Sequence, residues 1–387
     1  MRKKKRRIEH LEVFDLASNG KGVARHEGKV VFINKTLPGD VVDVLVTKNK
    51  TDFMEARLLK RVKDSEDRSD AFCEHFNTCG GCPIQNVNYS QQLRYKEKMV
   101  HDAFERIAKV NVLDKEEILG ADKLTGFRNK LEFTFSHQGW LSKEELENGG
   151  EREVALGFHV PGRFDKVFSV NNCHLQHNIQ NEVRNWLRDY AIQEGYSFYN
   201  IRENRGLLRN LICRTSQLGE TMIIVCFGEN KKDHIEQIMG AISKRFIDLD
   251  ALHYVINEKG NDSIHDLEVY HYKGKIYIEE SLNEMVFKIR PKSFFQTNTS
   301  QALKLYEKVK AYASLKSHEV LYDLYTGTGT IANYLAPSAQ KVVGIEIIHE
   351  AIMDAKENAE RNKNKNAHFY VGDVKEAFVE HLFEKEG

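Results

Sequence analysis

The chain has no net charge to offer a polyanion: 57 Lys and Arg are matched by 57 Asp and Glu over 387 residues. Overall composition therefore gives no support to nucleic-acid binding. Long apolar runs are also missing. None approaches the roughly 18 residues that span a bilayer, and the basic opening MRKKKRR is followed by no apolar stretch of the kind that marks an export signal. No membrane association is expected, and the protein is placed in the cytoplasm. Cysteine is scarce, at six residues, and without an export signal those six read as thiols or metal ligands, not disulfides.

A hydrophobic content of 41% is enough for ordinary cores, and the length suits two or three domains. Charge is spread unevenly. Residues 1 to 62 hold 15 Lys or Arg against 8 Asp or Glu, an excess of +7, although MRKKKRR also reads as a solvated tail. Residues 9 to 62 alternate short strand-like runs with turns, among them SNGKG and LPGD, and Val41 to Val46 shows clear period-two patterning. A small five-stranded barrel is expected here. Its basic strands suit phosphate contact, and a barrel serving only as a packing module stays open as the other reading.

After the charged linker KDSEDRSD, three cysteines fall within ten residues in AFCEHFNTCGGCP: Cys73, Cys79 and Cys82. Two glycines free the backbone to wrap, so the segment reads as a ligand loop. Cys173, in VNNCHLQ, is the best fourth ligand. Cys213 and Cys226 lie in apolar strand-like runs and read as core residues. His75 and His174 suit zinc better than a cluster, and spacing alone leaves a structural Zn²⁺ and a four-iron cluster both open.

Residues 90 to 290 read as a mixed α+β region. A helix is expected over Tyr95 to Ala108 and strands over Phe127 to Ser136 and near 154 to 158, 207 to 215, 221 to 227 and 252 to 257, with helices near 178 to 193 and 231 to 246. Arg128, Asn129 and Lys130 form a polar triplet beside an aromatic strand. That pattern fits RNA phosphates, and equally an ordinary solvated strand face.

The stretch from Val320 to Glu346 organises the rest. An apolar run ends in Asp323, a Gly-Thr-Gly turn spans Gly327 to Gly329, and a second apolar run ends in Glu346. This order is a parallel β-α-β unit for a nucleoside cofactor, with the acid placed for ribose hydroxyls. The sequence from Gly327 to Ala332 also satisfies the dinucleotide pattern G-x-G-x-x-A, so NAD competes. Asp323, four residues before the first glycine, favours the D-x-x-x-G-x-G opening of S-adenosylmethionine-dependent methyltransferases.

Together, SFFQTNTSQALKLYEKV (Ser293 to Val309), DLYTGTGTIANYLA and VVGIE resemble the RNA uracil-5-methyltransferase family, most closely its iron–sulfur branch acting on 23S ribosomal RNA. The resemblance covers nearly the whole chain. It implies a multidomain α/β protein: a TRAM β-barrel over 1–65 that binds RNA, a central α+β domain over 66–290 with an iron–sulfur site, and a Rossmann-like methyltransferase domain, incomplete, over 291–387. It further implies a [4Fe-4S] cluster on Cys73, Cys79, Cys82 and Cys173, and S-adenosyl-L-methionine held by Gln296, Tyr325, Thr330, Glu346 and Asp373. Core packing for Tyr325 and a helix N-cap for Asp373 are the competing readings. A monomer that methylates 23S ribosomal RNA is expected, with a transfer-RNA enzyme, a non-catalytic RNA-binding protein and an NAD-dependent oxidoreductase as alternatives.

In that family a cysteine thiolate adds to C6 of uracil, activating C5 for methylation; a carboxylate then removes the C5 proton. Phe294 or Phe295 would receive the flipped base. The nucleophile sits in an S-C-N-P motif and another acid in a D-P-P-R motif, and this chain contains neither. No catalytic residue is assigned within it. The nucleophilic cysteine is expected beyond Gly387, and the chain is read as an N-terminal fragment.

Overall fold

The computed structural model describes residues 6–377, the side chains of Lys143, Glu376 and Ala377 apart. The first five residues of the basic tail, and the segment after Ala377 where the chain was read as stopping, lie outside the described residues. Contacts divide the chain into two compact units, residues 1–122 with 160–162, and residues 123–159 with 163–387. Segment 66–122 thus clusters with the barrel, and segment 163–290 with the residues that follow it.

The first unit is built on five strands, β1 (Arg7–Leu16), β2 (Gly22–His26), β3 (Lys29–Ile33), β4 (Val41–Asn49) and β5 (Phe53–Lys63), closed as a barrel in the order β1-β2-β3-β5-β4. Closure leaves no unpaired edge. Alternation along the strands sends Val13, Val31, Val42, Val44 and Met54 inward to a core that water does not reach. Buried Asp40 finishes the LPGD turn, accepting from the Leu37 and Ser65 N–H groups at 2.8 Å each and from Arg68 at 2.6 Å. Helix α1 (Tyr89–Asp102) packs Tyr95 against Leu16, Leu37 and Val87. It begins six residues before the expected Tyr95, and Ala103–Ala108 continues it in π-helical geometry with no buried residue. The first turn is polar and half-exposed, so it carries no periodic apolar signal.

The second unit contains β6 (Lys130–Ser136), α2 (Lys143–Glu147), β7 (Ala155–His159), β8 (Val167–Ser169), α3 (Asn178–Gln193), β9 (Leu208–Thr215), β10 (Thr221–Phe227), α4 (Lys232–Arg245), β11 (Ala251–Ile256) and β12 (Val269–Gly274). Their strands form one seven-stranded sheet, β12-β11-β10-β9-β6-β7-β8. A hairpin of β13 (Ile278–Leu282) and β14 (Met285–Ile289) follows, then α5 (Thr299–Ala313). Hairpin and helix cover one sheet face: Phe287, Phe295, Ala302 and Tyr306 share a core with Ile212, Ile224 and Val255. The sequence offers Asn298 or Thr299 as the cap of this helix and Ala302, Leu305, Tyr306 and Val309 as its buried face; Asn298 is the cap, accepting from the Gln301 N–H at 3.1 Å. Leu305, expected on the buried face, is 51% exposed, while Leu303 packs inward; the buried stripe runs through 302, 303, 306 and 309.

The chain then forms β15 (Val320–Leu324), α6 (Thr330–Leu335), β16 (Lys341–Glu346), α7 (His349–Arg361), β17 (Ala367–Val371) and the short α8 (Val374–Ala377). The three strands are parallel, in the order β15-β16-β17. Ala332, Ala355 and Phe369 join α6, α7 and β17 in one core.

Candidate active site

The carboxyl ends of β15, β16 and β17 are tied together, which brings the segments after them to one edge. The Thr326 N–H donates to the Ile345 carbonyl, and the Gly372 N–H to the Glu346 carbonyl, each at 3.0 Å. Ligands of open α/β sheets bind outside this edge.

Between β15 and α6 the backbone is left-handed at Tyr325 (φ 62°), Gly327 (56°) and Gly329 (74°). A Cβ on Gly329 would lie 2.9 Å from Ala355 and from the Phe369 ring, so this glycine serves packing. Gly327 is the opposite case. Nothing lies within 4 Å of its would-be Cβ, so its backbone stands open to a ligand. Tyr325 is 70% exposed. A non-glycine residue in this region carries a conformational cost of about 1 to 2 kcal/mol, and its ring is not spent on the core.

The candidate residues take different roles around this loop. Asp323 shapes the loop from beneath: it accepts from the Thr326 hydroxyl at 2.7 Å and from the Ala332 N–H at 3.1 Å, and burial raises its carboxyl above the usual range. Glu346 reaches over the loop, accepting from the Gly327 N–H at 3.2 Å and the Ile348 N–H at 3.1 Å. Thr330 is buried, and its side chain is hydrogen-bonded to Tyr306. Asp373 accepts from the Lys375 N–H at 2.9 Å, an N-cap contact at the start of α8. Gln296 is half-buried, and its carbonyl accepts from the Asn129 amide at 2.9 Å. Ile347, 63% exposed next to Glu346, was not singled out from sequence. Its place just after the acid that ends an apolar strand was the available signal.

Phe294 and Phe295 separate. Phe295 packs against Phe287 with ring centroids 6.2 Å apart, whereas Phe294 is 69% exposed. The Thr328 hydroxyl donates to the Phe294 carbonyl at 3.4 Å, a long contact that sets this aromatic beside the glycine loop.

The polar triplet also divides. Asn129 is a joint: its side chain donates to the Gln296 carbonyl and to the Thr299 hydroxyl (3.0 Å), and its N–H to the Thr297 carbonyl at 2.8 Å. Thr299 donates on to buried Glu280 at 2.9 Å. Arg128 and Lys130 flank this joint. Burial lowers the Lys130 pKa, and the neighbouring Arg214 lowers it further. Arg214 donates to the Ser293 carbonyl at 2.6 Å; burial pushes it down to about 10, so it stays charged at neutral pH.

In the first unit Cys73, Cys79 and Cys82 are half-buried in one loop, and among the described residues none of the chain's cysteines is in a disulfide. The Cys79 N–H donates to the His75 carbonyl at 2.9 Å, and the Gly81 N–H donates to Cys79 Sγ at 3.4 Å. N–H donors to sulfur stabilise thiolate character, which suits a metal-ligating loop. In the second unit Cys173 is buried, its N–H donating to Asn181 at 2.8 Å. Cys213 and Cys226 are core residues as expected. Burial pushes the Cys213 thiol up to about 12 and Cys226 higher still, so neither supplies a thiolate.

Against known proteins, the TRAM domain family matches residues 2–59 and a methyltransferase domain family residues 315–387. An uncharacterized RNA methyltransferase of Bacteroides thetaiotaomicron is 44% identical over 377 residues, covering 96% of this chain and 83% of that protein. One from Porphyromonas gingivalis is 42% identical over 384 residues, covering 97% and 83%. Among solved structures, the Pyrococcus abyssi tRNA (uracil-54, C5)-methyltransferase in complex with S-adenosyl-L-homocysteine superposes with a TM-score of 0.71 at 26% identity, covering 96% of this chain and 81% of that one. Among the described residues, no helix is long and apolar enough to cross a membrane.

Proposed function

Because the chain belongs to the RNA methyltransferase family, we propose that it serves the transfer of a methyl group from S-adenosylmethionine to C5 of a uridine in RNA, with 23S ribosomal RNA as the substrate. The observation that carries the cofactor half is the pairing of Glu346 with Gly327: an acceptor-only side chain beside a backbone with open space in front of it. S-adenosylmethionine supplies an electrophilic methyl on a sulfonium when bound. Glu346 accepts from its ribose hydroxyls, the Gln296 amide lines the methionine side, the Thr330 backbone faces the turn, the exposed ring of Tyr325 offers a flat apolar surface, and Asp373 takes the adenine amine. Phe294, exposed beside the glycine loop, stacks the base that leaves its helix.

Functional segments follow the three-part reading, 1–65, 66–290 and 291–387. The barrel contacts phosphates through its basic strands. Cys73, Cys79, Cys82 and Cys173 hold an iron–sulfur cluster, a reading supported by the thiol donor set and by the Gly81 N–H directed at Cys79 sulfur. A transfer-RNA substrate is the second reading, favoured by the Pyrococcus abyssi structure named above, whose own substrate is a tRNA.

Calorimetric titration of the protein with S-adenosylmethionine and with NAD tests the cofactor reading, which NAD binding alone would overturn. Competition between 23S ribosomal RNA fragments and tRNA transcripts for the protein at one salt concentration tests the substrate. Preferential retention of tRNA would move the assignment to the second reading.

A further inference from the structure

One carboxylate on the seven-stranded sheet has no hydrogen-bond or ion-pair partner among the described residues. In the β6–β9 pair, Lys130 faces Arg214, Glu132 faces Ile212 and Thr134 faces Asn210, so these side chains share one sheet face. Ile212 on this face lies under the β13–β14 hairpin, in the core with Phe287 and Phe295. Glu132, one strand over, lies where that cover stops, and its side chain is exposed.

The edge of the cover is the segment that leads into the proposed active site. Arg214 is bonded to the Ser293 carbonyl, and the exposed Phe294 comes next. Lys130 is the strand neighbour of Arg214, and Glu132 stands two residues further along β6. The spacing from Lys130 to Glu132 is about 7 Å at a strand rise of about 3.4 Å per residue, roughly the width of one nucleobase.

Among the described residues Glu132 makes no hydrogen bond or ion pair, although Lys130, Asp262, His265 and Arg214 are near enough to act on it electrostatically, Asp262 against the other three. Water reaches the side chain, but the surrounding protein removes enough solvent to raise its pKa. Asn210, buried on the same face, has a side-chain oxygen without a donor. Two acceptors lie close together with their hydrogen bonds unmade, near Lys130 and Arg214 and also within reach of Asp262 and His265. A bare carboxylate repels phosphate, so here it weakens RNA attraction unless the RNA brings a donor to it.

Building on the RNA-methyltransferase reading, we propose that Glu132 is a base-reading residue, accepting a hydrogen bond from a nucleobase N–H of the RNA that lies against Phe294. Two sources offer that chemistry: the N3–H of a uracil, and the exocyclic amine of a neighbouring adenine, cytosine or guanine.

The test is binding of labelled ten-nucleotide oligomers of U, C, A and G, and of N3-methyluridine, to the full chain and to Glu132→Gln at one salt concentration. The amide keeps size and shape but removes a negative charge from beside Lys130 and Arg214. As a bystander, Glu132 would therefore give a variant that binds every oligomer more tightly. A base-reading Glu132 gives a selective loss of roughly tenfold, with tighter binding for oligomers lacking the matching edge. Loss on oligo(U), together with N3-methyluridine binding the wild type as weakly as oligo(U) binds the variant, identifies the uracil N3–H. Loss confined to A, C or G identifies an amine. Uniform tightening overturns the proposal, and so does a uniform loss, which would assign Glu132 to ribose hydroxyls. Failure of the wild type to bind any oligomer would instead overturn the RNA reading on which the proposal rests. Glu132→Ala, followed by the same titrations and a thermal melt, guards against a folding effect of the amide.

Discussion

Replacing Glu346 by alanine separates two jobs that the structure gives to one carboxylate. One is internal, since the side chain accepts from the Gly327 and Ile348 N–H groups, at 3.2 and 3.1 Å. Both donors lie at a solvent-accessible edge, so water replaces the carboxylate after substitution, and the loss is about 1 to 2 kcal/mol for the two bonds together. The other job is proposed: two ribose hydroxyls donating to a charged acceptor. Their loss costs about 1.5 to 3 kcal/mol, which at about 1.4 kcal/mol per decade is a roughly 10- to 100-fold weaker Kd. Calorimetry with S-adenosylmethionine reads the second effect and urea unfolding the first. A loosened loop would also weaken binding, so the decisive comparison uses the 2′-deoxy cofactor analogue. If Glu346 holds the ribose, the substitution costs much less with the analogue than with the natural cofactor. Equal losses for both would mean that Glu346 only braces the glycine loop. Unchanged affinity in Glu346→Ala would remove it from the site.

Anaerobically purified protein should be brown and lose iron on Cys73→Ser, Cys79→Ser, Cys82→Ser or Cys173→Ser, while Cys213→Ser keeps full metal content; stoichiometric zinc in colourless protein would reject the cluster and keep the ligand set. Burial raises the Glu280 carboxyl above its ordinary 4.5, so the fold holds that proton more tightly than the unfolded chain does, and stability falls as pH rises from about 4.5 to the folded value. Glu280→Gln should flatten that part of the curve of urea midpoints against pH, and an unaltered slope would refute the assignment. On the barrel, exposed Lys60 in β5 should contribute one phosphate contact, so Lys60→Ala lowers the slope of log affinity against log salt by about 1; an unchanged slope would take β5 away from the RNA. Asn129→Ala should weaken cofactor binding several-fold and destabilise the protein by about 2 kcal/mol, since it leaves the Gln296 carbonyl and the Thr299 oxygen without the Asn129 donor, Thr299 keeping its bond to Glu280; calorimetry and urea melts on the same preparation check both.

Elements whose pattern is complete within a few residues were legible in the sequence. The barrel strands show period-two alternation, and Lys341–Glu346 and Ala367–Val371 stand where apolar runs end in an acid or a glycine turn. The α5 cap was visible because Asn298 and Gln301 are three residues apart. Elements defined by partners elsewhere were not. β12 is an edge strand with an almost wholly half-buried or exposed pattern, so alternation is weak, and the β13–β14 hairpin is recognisable chiefly by what it covers. Leu305 was misplaced for a related reason: a helix read alone offers several apolar stripes, and the neighbouring core selects among them.

The same distinction applies inside the site. Asp323 was found because its spacing to Gly327 is local, but its task is seen only once the Thr326 hydroxyl and the Ala332 N–H are in place around it. The contacts of Asn129 with Gln296 and Thr299 span 167 and 170 residues, and no periodicity connects groups so far apart. Yet this joint has the most direct bearing on the proposed reaction. The segment with Arg128 and Lys130, read as facing RNA in the proposal, and the segment with Phe294 and Gln296, read there as facing base and cofactor, share one set of hydrogen bonds ending at Glu280. A methyl transfer needs acceptor and donor held within about half an ångström of the productive arrangement. On the proposed reading, the hydrogen bonds from Asn129 through Thr299 to Glu280 are what hold the two segments in register.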